Sequence, residues 1–215
     1  MPILSNIIKS ISSKTIRSAP FRADNVSVVT RSEQPKRAVN FAGTDDIVDF
    51  GTGLLTTGNF TVSFWVRTAN LAASNGFVGM GDSYDTGYGF SVYVNSSGVI
   101  YASIVAGGTR VFAQKSGFTA AAWHHVAITV NRAGNMTIYL NGVAGTPVDI
   151  TSVVGSIANG SFVLGRYSTG PYYTGRMFDF QMFSSALSGA NILSLKIRLA
   201  TPSLDRYMSR VMSLT

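Results

Sequence analysis

The stretch Phe60-Thr-Val-Ser-Phe-Trp-Val66 places an apolar residue at every second position. Successive side chains of an extended chain point to opposite faces, so this period of two predicts a β-strand with one face in a hydrophobic core. The same alternation recurs outward from this stretch, at 90–94, 99–104, 125–130, 136–140, 162–164 and 175–183. The sequence from Val39 onward is therefore predicted to consist mainly of short strands.

Glycine and asparagine separate these strands at regular intervals. Turns are predicted at Ser97-Gly98, Ala133-Gly134-Asn135 and Asn141-Gly142. An Asn-Gly pair between alternating stretches is the strongest short signal for a hairpin, because both central residues of a type I′ turn need a positive φ angle. The pattern predicts an all-β fold, an antiparallel two-sheet jelly-roll sandwich with short helical or extended arms at both ends.

Composition limits the classes of protein that the chain can be. Its 215 residues, 46% of them hydrophobic, suffice for one substantial core. The absence of cysteine excludes a disulfide framework and a thiolate metal site. No apolar run has the length of a signal peptide or a membrane span, so we expect neither an export signal nor a transmembrane segment.

Charge divides the chain into three parts. Residues 1–37 form a basic arm with seven basic and two acidic residues, whereas the predicted sandwich at 38–195 has six basic and seven acidic residues. Residues 196–215 form a basic tail with four basic residues and one acidic residue. A nearly neutral body argues against a nucleic-acid-binding domain, and the two ends become the candidate attachment points.

The N-terminal arm is predicted to begin with a short amphipathic helix. Apolar residues share one helical face, and basic residues lie on or after the helix. The apolar set is Ile3, Leu4, Ile7, Ile8 and Ile11, and the basic set is Lys9, Lys14 and Arg17. Because so short a helix is marginal alone, its apolar face must pack on its own sandwich, on another subunit or on a lipid surface.

The C-terminal part contains two helical patterns. Residues 187–195 predict a short helix that covers one end of the sandwich, and Thr201-Pro202 opens a second helical stretch. The residues of this second stretch that share an apolar face are Leu204, Tyr207, Met208, Val211 and Met212. Tyr207, Met208 and the basic Arg210 are therefore candidate partner-binding residues, and packing on the parent sandwich is the alternative.

Several of the strand sequences resemble those of a known superfamily. The residues that carry the resemblance are 38–50, Gly58-Asn-Phe-Thr-Val-Ser-Phe-Trp-Val66, Trp123-His-His-Val-Ala-Ile-Thr-Val130, Met136-Thr-Ile-Tyr-Leu-Asn-Gly142 and 173–188. In order and spacing they are similar to the laminin G-like, concanavalin A-like lectin/glucanase superfamily. The resemblance implies a two-sheet jelly roll with one curved sheet, and it covers neither 1–37 nor 196–215.

The number and placement of carboxyl groups indicate whether this chain could act as the hydrolases of the superfamily do. Glycoside hydrolysis normally needs two carboxyl groups placed across the scissile bond. The superfamily's hydrolases resemble one another in a strand with alternating Glu and Asp, whereas the single glutamate of this chain, Glu33, lies in the arm. We therefore predict no catalytic residues and no enzymatic activity.

A calcium site is a further prediction, because many members of the superfamily bind Ca²⁺ through loop oxygens. Asp82 and Asp85 lie in a glycine-flanked acidic loop, and hard cations need several such oxygen ligands. The second acidic stretch, at 45–49, is more typical of an Asx turn that leads into a strand. With only His124 and His125 and no cysteine, a zinc site is not expected.

Loop tyrosines are the candidate ligand-binding residues of the sandwich. The set that could share one rim is Tyr84, Tyr88, Tyr167, Tyr172 and Tyr173. Such tyrosines can contact a glycan, contact another protein or pack locally. Trp65 and Trp123 lie within or beside alternating strands and are predicted to belong to the core.

Two functional hypotheses follow from these patterns. The first is a structural protein of a virion assembled in the host cytoplasm, such as a capsid decoration, cement or fibre-associated subunit of a phage. Its basic arms would dock on other protein subunits or on copies of itself. The alternative is a lectin-like module that attaches to a glycan.

Overall fold

The computed structural model describes residues 38–81, 87–167 and 170–198, together with four two-residue strands in the N-terminal arm. Those four strands are β1 (Ile7–Ile8), β2 (Ile11–Ser12), β3 (Lys14–Thr15) and β4 (Ala19–Pro20). β1 pairs with β4 and β2 with β3, in antiparallel fashion. The predicted helix through Ile7, Ile8 and Ile11 therefore differs from the observed backbone, which is extended there as β-branched isoleucine favours.

The other arm predictions fall where the structure gives no description. Ile3, Leu4, Lys9 and Arg17 lie outside the described residues, as does the whole second helical stretch with Tyr207, Met208 and Arg210. The side chains of Ile7, Ile8, Ile11 and Lys14 are not described either. The partner-binding role of both arms thus stays a prediction.

Two antiparallel sheets form the body, as the sequence predicts. The first, in spatial order, contains β11 (Thr109–Ser116), β10 (Val99–Ala106), β9 (Gly89–Val94), β8 (Asn75–Gly81), β16 (Ser161–Leu164) and β6 (Val48–Thr52). The second contains β14 (Val143–Ala144), β13 (Asn135–Leu140), β12 (His124–Val130), β7 (Phe60–Thr68), β17 (Thr174–Phe183) and β5 (Val39–Ala42), with β15 (Val148–Asp149) also paired to β13.

The core lies between the inner faces of these sheets. Phe60 of β7 meets Phe90 of β9 edge to face at 5.0 Å between ring centroids, and Phe64 of β7 meets Phe77 of β8 at 5.9 Å. These rings come from alternate positions of their strands and are almost completely buried. Burial of alternate apolar residues from both sheets is the arrangement of an all-β sandwich, and it confirms the predicted fold class.

The Asn141-Gly142 turn between β13 and β14 behaves as predicted. Both residues have positive φ angles, 54° and 82°. The Asn141 side chain also accepts a hydrogen bond from the His125 backbone N–H at 3.0 Å and lies 3.0 Å from the His124 ring. The turn is therefore fixed to the neighbouring strand as well as by its backbone preference.

A helix covers part of the outer face of the seven-stranded sheet. This helix, α1 (Gly189–Arg198), begins after Ser188, whose hydroxyl accepts a hydrogen bond from the Asn191 backbone N–H at 3.3 Å. Ile192 and Leu195 of α1 pack with Ala127 on the sheet. The helix predicted at 187–195 is confirmed, although it lies on a face of the sandwich. Within the described residues, no helix combines the length and apolar character needed to cross a bilayer.

The tryptophans are not core residues, contrary to the prediction. Trp65 is half-buried on the outer face of β7, because it alternates with Phe64 and Val66, which point inward. Trp123 is also half-buried. Phe178 of β17 stacks on Trp65 at 5.8 Å and meets the edge of Trp123 at 5.0 Å, so the three rings form an aromatic cluster.

Candidate functional site

A row of aromatic rings crosses the outer face of the six-stranded sheet. Tyr93 of β9 and Tyr101 of β10 are direct cross-strand partners, and their rings stack at 5.1 Å with an angle of 11° between planes. Tyr167, from the loop after β16, stacks on Tyr93 at 4.5 Å. Phe112 of β11 lies 6.2 Å from Tyr101 at the other end. We call Tyr167, Tyr93, Tyr101 and Phe112 the aromatic row.

The strand pattern explains why these rings face outward. Phe90, Val92 and Val94 of β9 are fully buried in the core, so the intervening Tyr93 lies on the opposite face. The same alternation on β10 buries Ile100 and Ala102 and leaves Tyr101 outside. Antiparallel pairing then brings outward residues of neighbouring strands to within ring contact.

Gly76 allows a distant loop to supply the fourth ring. It is the partner of Tyr93 in the β8–β9 pairing, and a Cβ atom at this position would contact the Tyr167 backbone nitrogen and lie 2.6 Å from the Pro171 carbonyl oxygen. The loop backbone therefore rests directly on β8. Because no side chain intervenes, Tyr167 reaches the Tyr93 ring.

The loop also fixes the Tyr167 side chain itself. The Tyr167 carbonyl accepts a hydrogen bond from the Gly170 backbone N–H at 2.8 Å, which closes a turn. A Cβ atom on Gly170 would lie 2.5 Å from Cζ of the Tyr167 ring, so the glycine backbone packs against that ring. Tyr167 is thus held between Tyr93 and Gly170, in a position defined before any ligand arrives.

The exposed surface of the row is set by this stacking. Tyr93 has a ring neighbour on each face, which leaves mainly its edge for a ligand. Phe112 is 51% exposed and ends the row on β11. The row thus presents ring edges, phenol groups and one accessible aromatic face, a combination that can contact both apolar and hydroxyl-bearing surfaces of a ligand.

Positive charge flanks both ends of the aromatic row. Arg110 of β11 donates a hydrogen bond from Nε to the Ser103 hydroxyl at 3.0 Å, and its guanidinium carbon lies 5.9 Å from the Phe112 ring centroid. Arg166 precedes Tyr167, and its guanidinium carbon lies 5.6 Å from the Tyr172 ring centroid. Guanidinium groups in such positions can bind hydroxyl or acidic oxygens of a ligand.

The structure separates the tyrosines that the sequence grouped into one rim. Tyr167 belongs to the aromatic row, and Tyr172 pairs with Arg166 beside it. Tyr88 is 45% exposed just before β9. Tyr84 lies outside the described residues, as do the predicted calcium ligands Asp82 and Asp85.

Tyr173 was wrongly assigned to this rim, because its side chain is fully buried in the core. Its hydroxyl accepts a hydrogen bond from the Arg67 backbone N–H at 3.2 Å and donates one to the Arg176 carbonyl at 2.8 Å. Burial raises the pKa of the phenol well above its usual value, and these hydrogen bonds oppose the shift only in part. Tyr173 thus links β7 to β17 and has a structural role.

Sequence reasoning missed Tyr93, Tyr101 and Phe112 because they lie inside strands. The available signal was the turn at 95–98, which connects two alternating stretches. Pairing across it places Tyr93 opposite Tyr101 and therefore on one face. Phe112 follows from the next hairpin, in which it pairs with Ser103.

The histidines and acidic residues of the described chain have structural partners. His125 is buried, its Nε2 lies 2.8 Å from the Ser63 hydroxyl, and burial with the nearby Lys196 charge lowers its pKa to about 4. Asp46 accepts a hydrogen bond from the Ala42 backbone N–H at 2.7 Å, and Asp49 accepts one from Gly51. The described residues contain no group of three or more potential His, Cys, Asp or Glu metal ligands.

Three of the known proteins that share sequence or fold with this chain are a non-toxic nonhemagglutinin, a pentraxin and a neurotoxin domain. The non-toxic nonhemagglutinin of Paraclostridium bifermentans is 24% identical over 125 residues, which are 56% of this chain and 10% of that protein. This chain therefore spans a tenth of the length of its curated relative. The heptameric SAP-like pentraxin of Limulus polyphemus has a TM-score of 0.56 and 19% identity, over 73% of this chain and 80% of the pentraxin.

The third is a solved structure of the botulinum neurotoxin serotype D ligand-binding domain in complex with N-acetylneuraminic acid. It has a TM-score of 0.65 and 15% identity, over 91% of this chain and 50% of that domain. At such identities the two structural likenesses establish the fold alone. The sequence profile of the concanavalin A-like lectin/glucanases superfamily matches residues 42–193, which is well over half of the chain. The chain therefore belongs to the concanavalin A-like lectin/glucanase superfamily.

Proposed function

We propose that this protein is a non-catalytic carbohydrate-binding module that holds its glycan along the aromatic row. The observation that carries the proposal is the set of four adjacent rings on one sheet face, Tyr167, Tyr93, Tyr101 and Phe112. A sugar has apolar C–H faces and a rim of hydroxyls. Aromatic rings with phenol groups, next to guanidinium donors, offer contacts to both.

Rigidity is a second reason to favour a binding surface. Tyr93 and Tyr101 stand on neighbouring strands, and the Tyr167 ring is packed between Tyr93 and Gly170. Side chains that are already ordered lose little conformational entropy when a ligand binds. The row therefore supplies preorganised contacts, unlike arginine or lysine side chains on an open surface.

The similarities to known proteins support the proposed class of function, which is carbohydrate binding. The superfamily includes lectins by its name, and one neurotoxin domain of similar fold was solved with a bound acidic sugar. Because one fold hosts many functions, the proposal depends on the row and not on the likeness. No pair of carboxylates accompanies the row among the described residues, so we assign binding and no hydrolysis.

The proposal is tested by glycan-array screening of the full-length chain, followed by titration of the best glycan. Tyr101→Ala and Phe112→Ala should each weaken binding at least ten-fold, equivalent to about 1.4 kcal/mol. Phe178→Ala is the matched control, since it removes a half-buried ring from the other sheet, and it should leave affinity unchanged. Absence of glycan binding by the wild-type chain, or equal effects of all three substitutions, would refute the proposal.

The same glycan titration can also test whether binding depends on calcium. The predicted ligands Asp82 and Asp85 follow β8, the strand that carries Gly76. If calcium supports the site, a chelator should weaken glycan binding and added Ca²⁺ should restore it, while Asp82→Asn and Asp85→Asn should remove this dependence. If a chelator leaves the glycan affinity unchanged, we would assign glycan binding to the aromatic row alone.

The virion assembly role predicted from the basic arms receives no support from these relatives, which are a non-toxic nonhemagglutinin, a neurotoxin ligand-binding domain and a pentraxin. It stays a prediction. Docking on other subunits would use the basic segments 1–37 and 196–215, so deletion of residues 1–37 should abolish incorporation into an assembly while glycan binding by the sandwich persists.

A further inference from the structure

Strand pairing brings several nitrogen-bearing side chains together on the outer face of the seven-stranded sheet. Trp65 of β7 pairs with His125 of β12 on one side and with Phe178 of β17 on the other. The Trp65 and His125 rings lie 5.4 Å apart between centroids, and Trp123 meets the edge of Phe178 at 5.0 Å. We call Trp65, Trp123 and His125 the donor cluster.

Each member of the donor cluster has a buried nitrogen with no hydrogen-bond partner among the described residues. These atoms are Nε1 of Trp65, Nε1 of Trp123 and Nδ1 of His125. An indole nitrogen can only donate. A buried donor without an acceptor costs free energy, and most buried polar groups in folded proteins are paired. Three unpaired nitrogens in one patch therefore favour a site for the acceptor oxygens of a ligand.

Ser63 determines which ring nitrogen of His125 carries the proton. Its hydroxyl lies 2.8 Å from His125 Nε2, the one acceptor that this hydroxyl reaches in the described part of the chain. The hydroxyl therefore donates to Nε2. Burial, with a smaller effect of the Lys196 charge, lowers the pKa of His125 to about 4, so the ring is neutral at neutral pH. Its single proton then lies on Nδ1, which becomes a donor like the two indole N–H groups.

Two arginines extend this face beside the donor cluster. Arg67 follows Trp65 by two residues on β7 and so lies on the same face, and Arg176 of β17 is its cross-strand partner. Arg67 Nε donates a hydrogen bond to the Ala121 carbonyl at 3.0 Å, which places its guanidinium against the turn that leads to Trp123. The donor cluster thus has cationic side chains next to it.

A third cation approaches from helix α1. The positive charge of Lys196 acts on the His125 ring, in the same direction as the larger effect of burial. The acidic residue of β17, Asp179, already accepts a hydrogen bond from the Gln181 side chain at 2.8 Å. Donors and cations therefore exceed acceptors on this face, which suits a ligand with carboxylate groups.

We propose that the donor cluster binds an acidic peptide segment of a partner protein, whose Asp or Glu carboxylates accept hydrogen bonds from the three nitrogens. The donors and cations are spread over three strands and α1, so a peptide with several carboxylates reaches more of them than a single small anion does. Trp123 lies just before β12, so rotation of its indole opens the buried nitrogens without breaking the sheet. Tryptophan and arginine are also enriched at the centres of protein interfaces.

Intrinsic fluorescence measures binding at this site directly, because the chain has two tryptophans and both belong to the donor cluster. The probe is an array of short acidic peptides, each paired with a copy in which Asn and Gln replace Asp and Glu. The best acidic peptide is then titrated against the full-length chain. It should change the tryptophan emission and bind about ten-fold more tightly than its amide copy, because hydrogen bonds to charged groups are the stronger ones.

Substitutions in the donor cluster and in α1 test the named contacts. Trp123→Phe keeps an aromatic ring but removes an N–H donor, and it should weaken binding of the acidic peptide about ten-fold. Lys196→Gln removes one charge near the surface and should weaken binding about three-fold. Phe112→Ala is the matched control, because it removes a ring from the other sheet, and it should leave peptide affinity unchanged.

Every outcome of these titrations supports or overturns the proposal. It is overturned if no acidic peptide changes the tryptophan emission, if the amide copies bind equally well, or if Trp123→Phe and Lys196→Gln both keep the wild-type affinity. A loss of peptide binding in Phe112→Ala would place the peptide on the aromatic row and would also overturn it. The proposed glycan site is measured with a different ligand, so either site can fail without the other.

Discussion

Gly76 shows how a residue without a side chain can determine a binding surface. A methyl group there would overlap backbone atoms of Tyr167 and Pro171, which cannot rotate away as side-chain atoms can. We therefore expect Gly76→Ala to displace the loop, with a loss of about 1–3 kcal/mol in the free energy of unfolding. It should also weaken glycan binding, because Tyr167 would leave Tyr93. Urea unfolding and glycan titration measure the two effects.

The control for this substitution is Gly58→Ala. Apart from Gly58 itself and its two chain neighbours, no residue has a heavy atom within 4 Å of the Cβ position at Gly58. The free energy of unfolding should therefore change by no more than about 0.5 kcal/mol, and glycan affinity should not change. If Gly76→Ala behaved like Gly58→Ala, the close packing of the loop on β8 would be disproved.

His125 gives the protein a defined pH dependence. Burial and the Lys196 charge lower its folded-state pKa to about 4, whereas the unfolded chain titrates near its ordinary value of about 6.5. The unfolded state therefore binds a proton at pH values where the folded state does not. The free energy of unfolding should be highest above about pH 6.5 and fall toward pH 4, by about 2 kcal/mol between pH 7.5 and pH 5.

Urea unfolding at these two pH values, for the wild type and for His125→Gln, checks this expectation. The variant lacks the titrating ring and should lose most of the pH dependence in that window. His124 still contributes a smaller pH dependence of the free energy of unfolding in the same direction, because burial lowers its pKa as well. An equal fall in the wild type and the variant would mean that His125 is not held neutral in the folded state.

At the level of secondary-structure elements, the local sequence pattern was sufficient to predict most of the strands and turns of the sandwich. Alternation identified the strands because one face of each sheet is buried, and the Asn141-Gly142 turn followed from its need for positive φ angles. The start of helix α1 was predicted within two residues and its end within three, since its first turn follows the capping Ser188. These features depend on residues close together in sequence.

The candidate site was predicted only in part, because it depends on register and on long-range contact. Tyr167 was selected from its loop, but its partner Tyr93 is distant in sequence and lies in a strand. Nothing local distinguishes Tyr173, a core residue, from its loop neighbour Tyr172. Strand pairing separates the two, because it fixes which side of the backbone meets the opposite sheet.

The whole molecule assigns different roles to its two sheet faces. The outer face of the six-stranded sheet carries the aromatic row between Arg110 and Arg166. The outer face of the other sheet carries α1 and the Trp65 cluster. A ligand on the row would therefore leave α1 accessible for a separate contact.

The described core lies entirely between Phe41 and Leu195. Both sheets, α1 and the aromatic row are contained in residues 38–198, so we expect deletion of 1–37 to change the free energy of unfolding by less than about 1 kcal/mol. Glycan affinity should stay within two-fold, because no residue of the row is removed. Urea unfolding monitored by tryptophan fluorescence and glycan titration of the shortened chain measure both. Loss of cooperative unfolding, or a ten-fold loss of affinity, would mean that the N-terminal arm is part of the sandwich or of its binding surface.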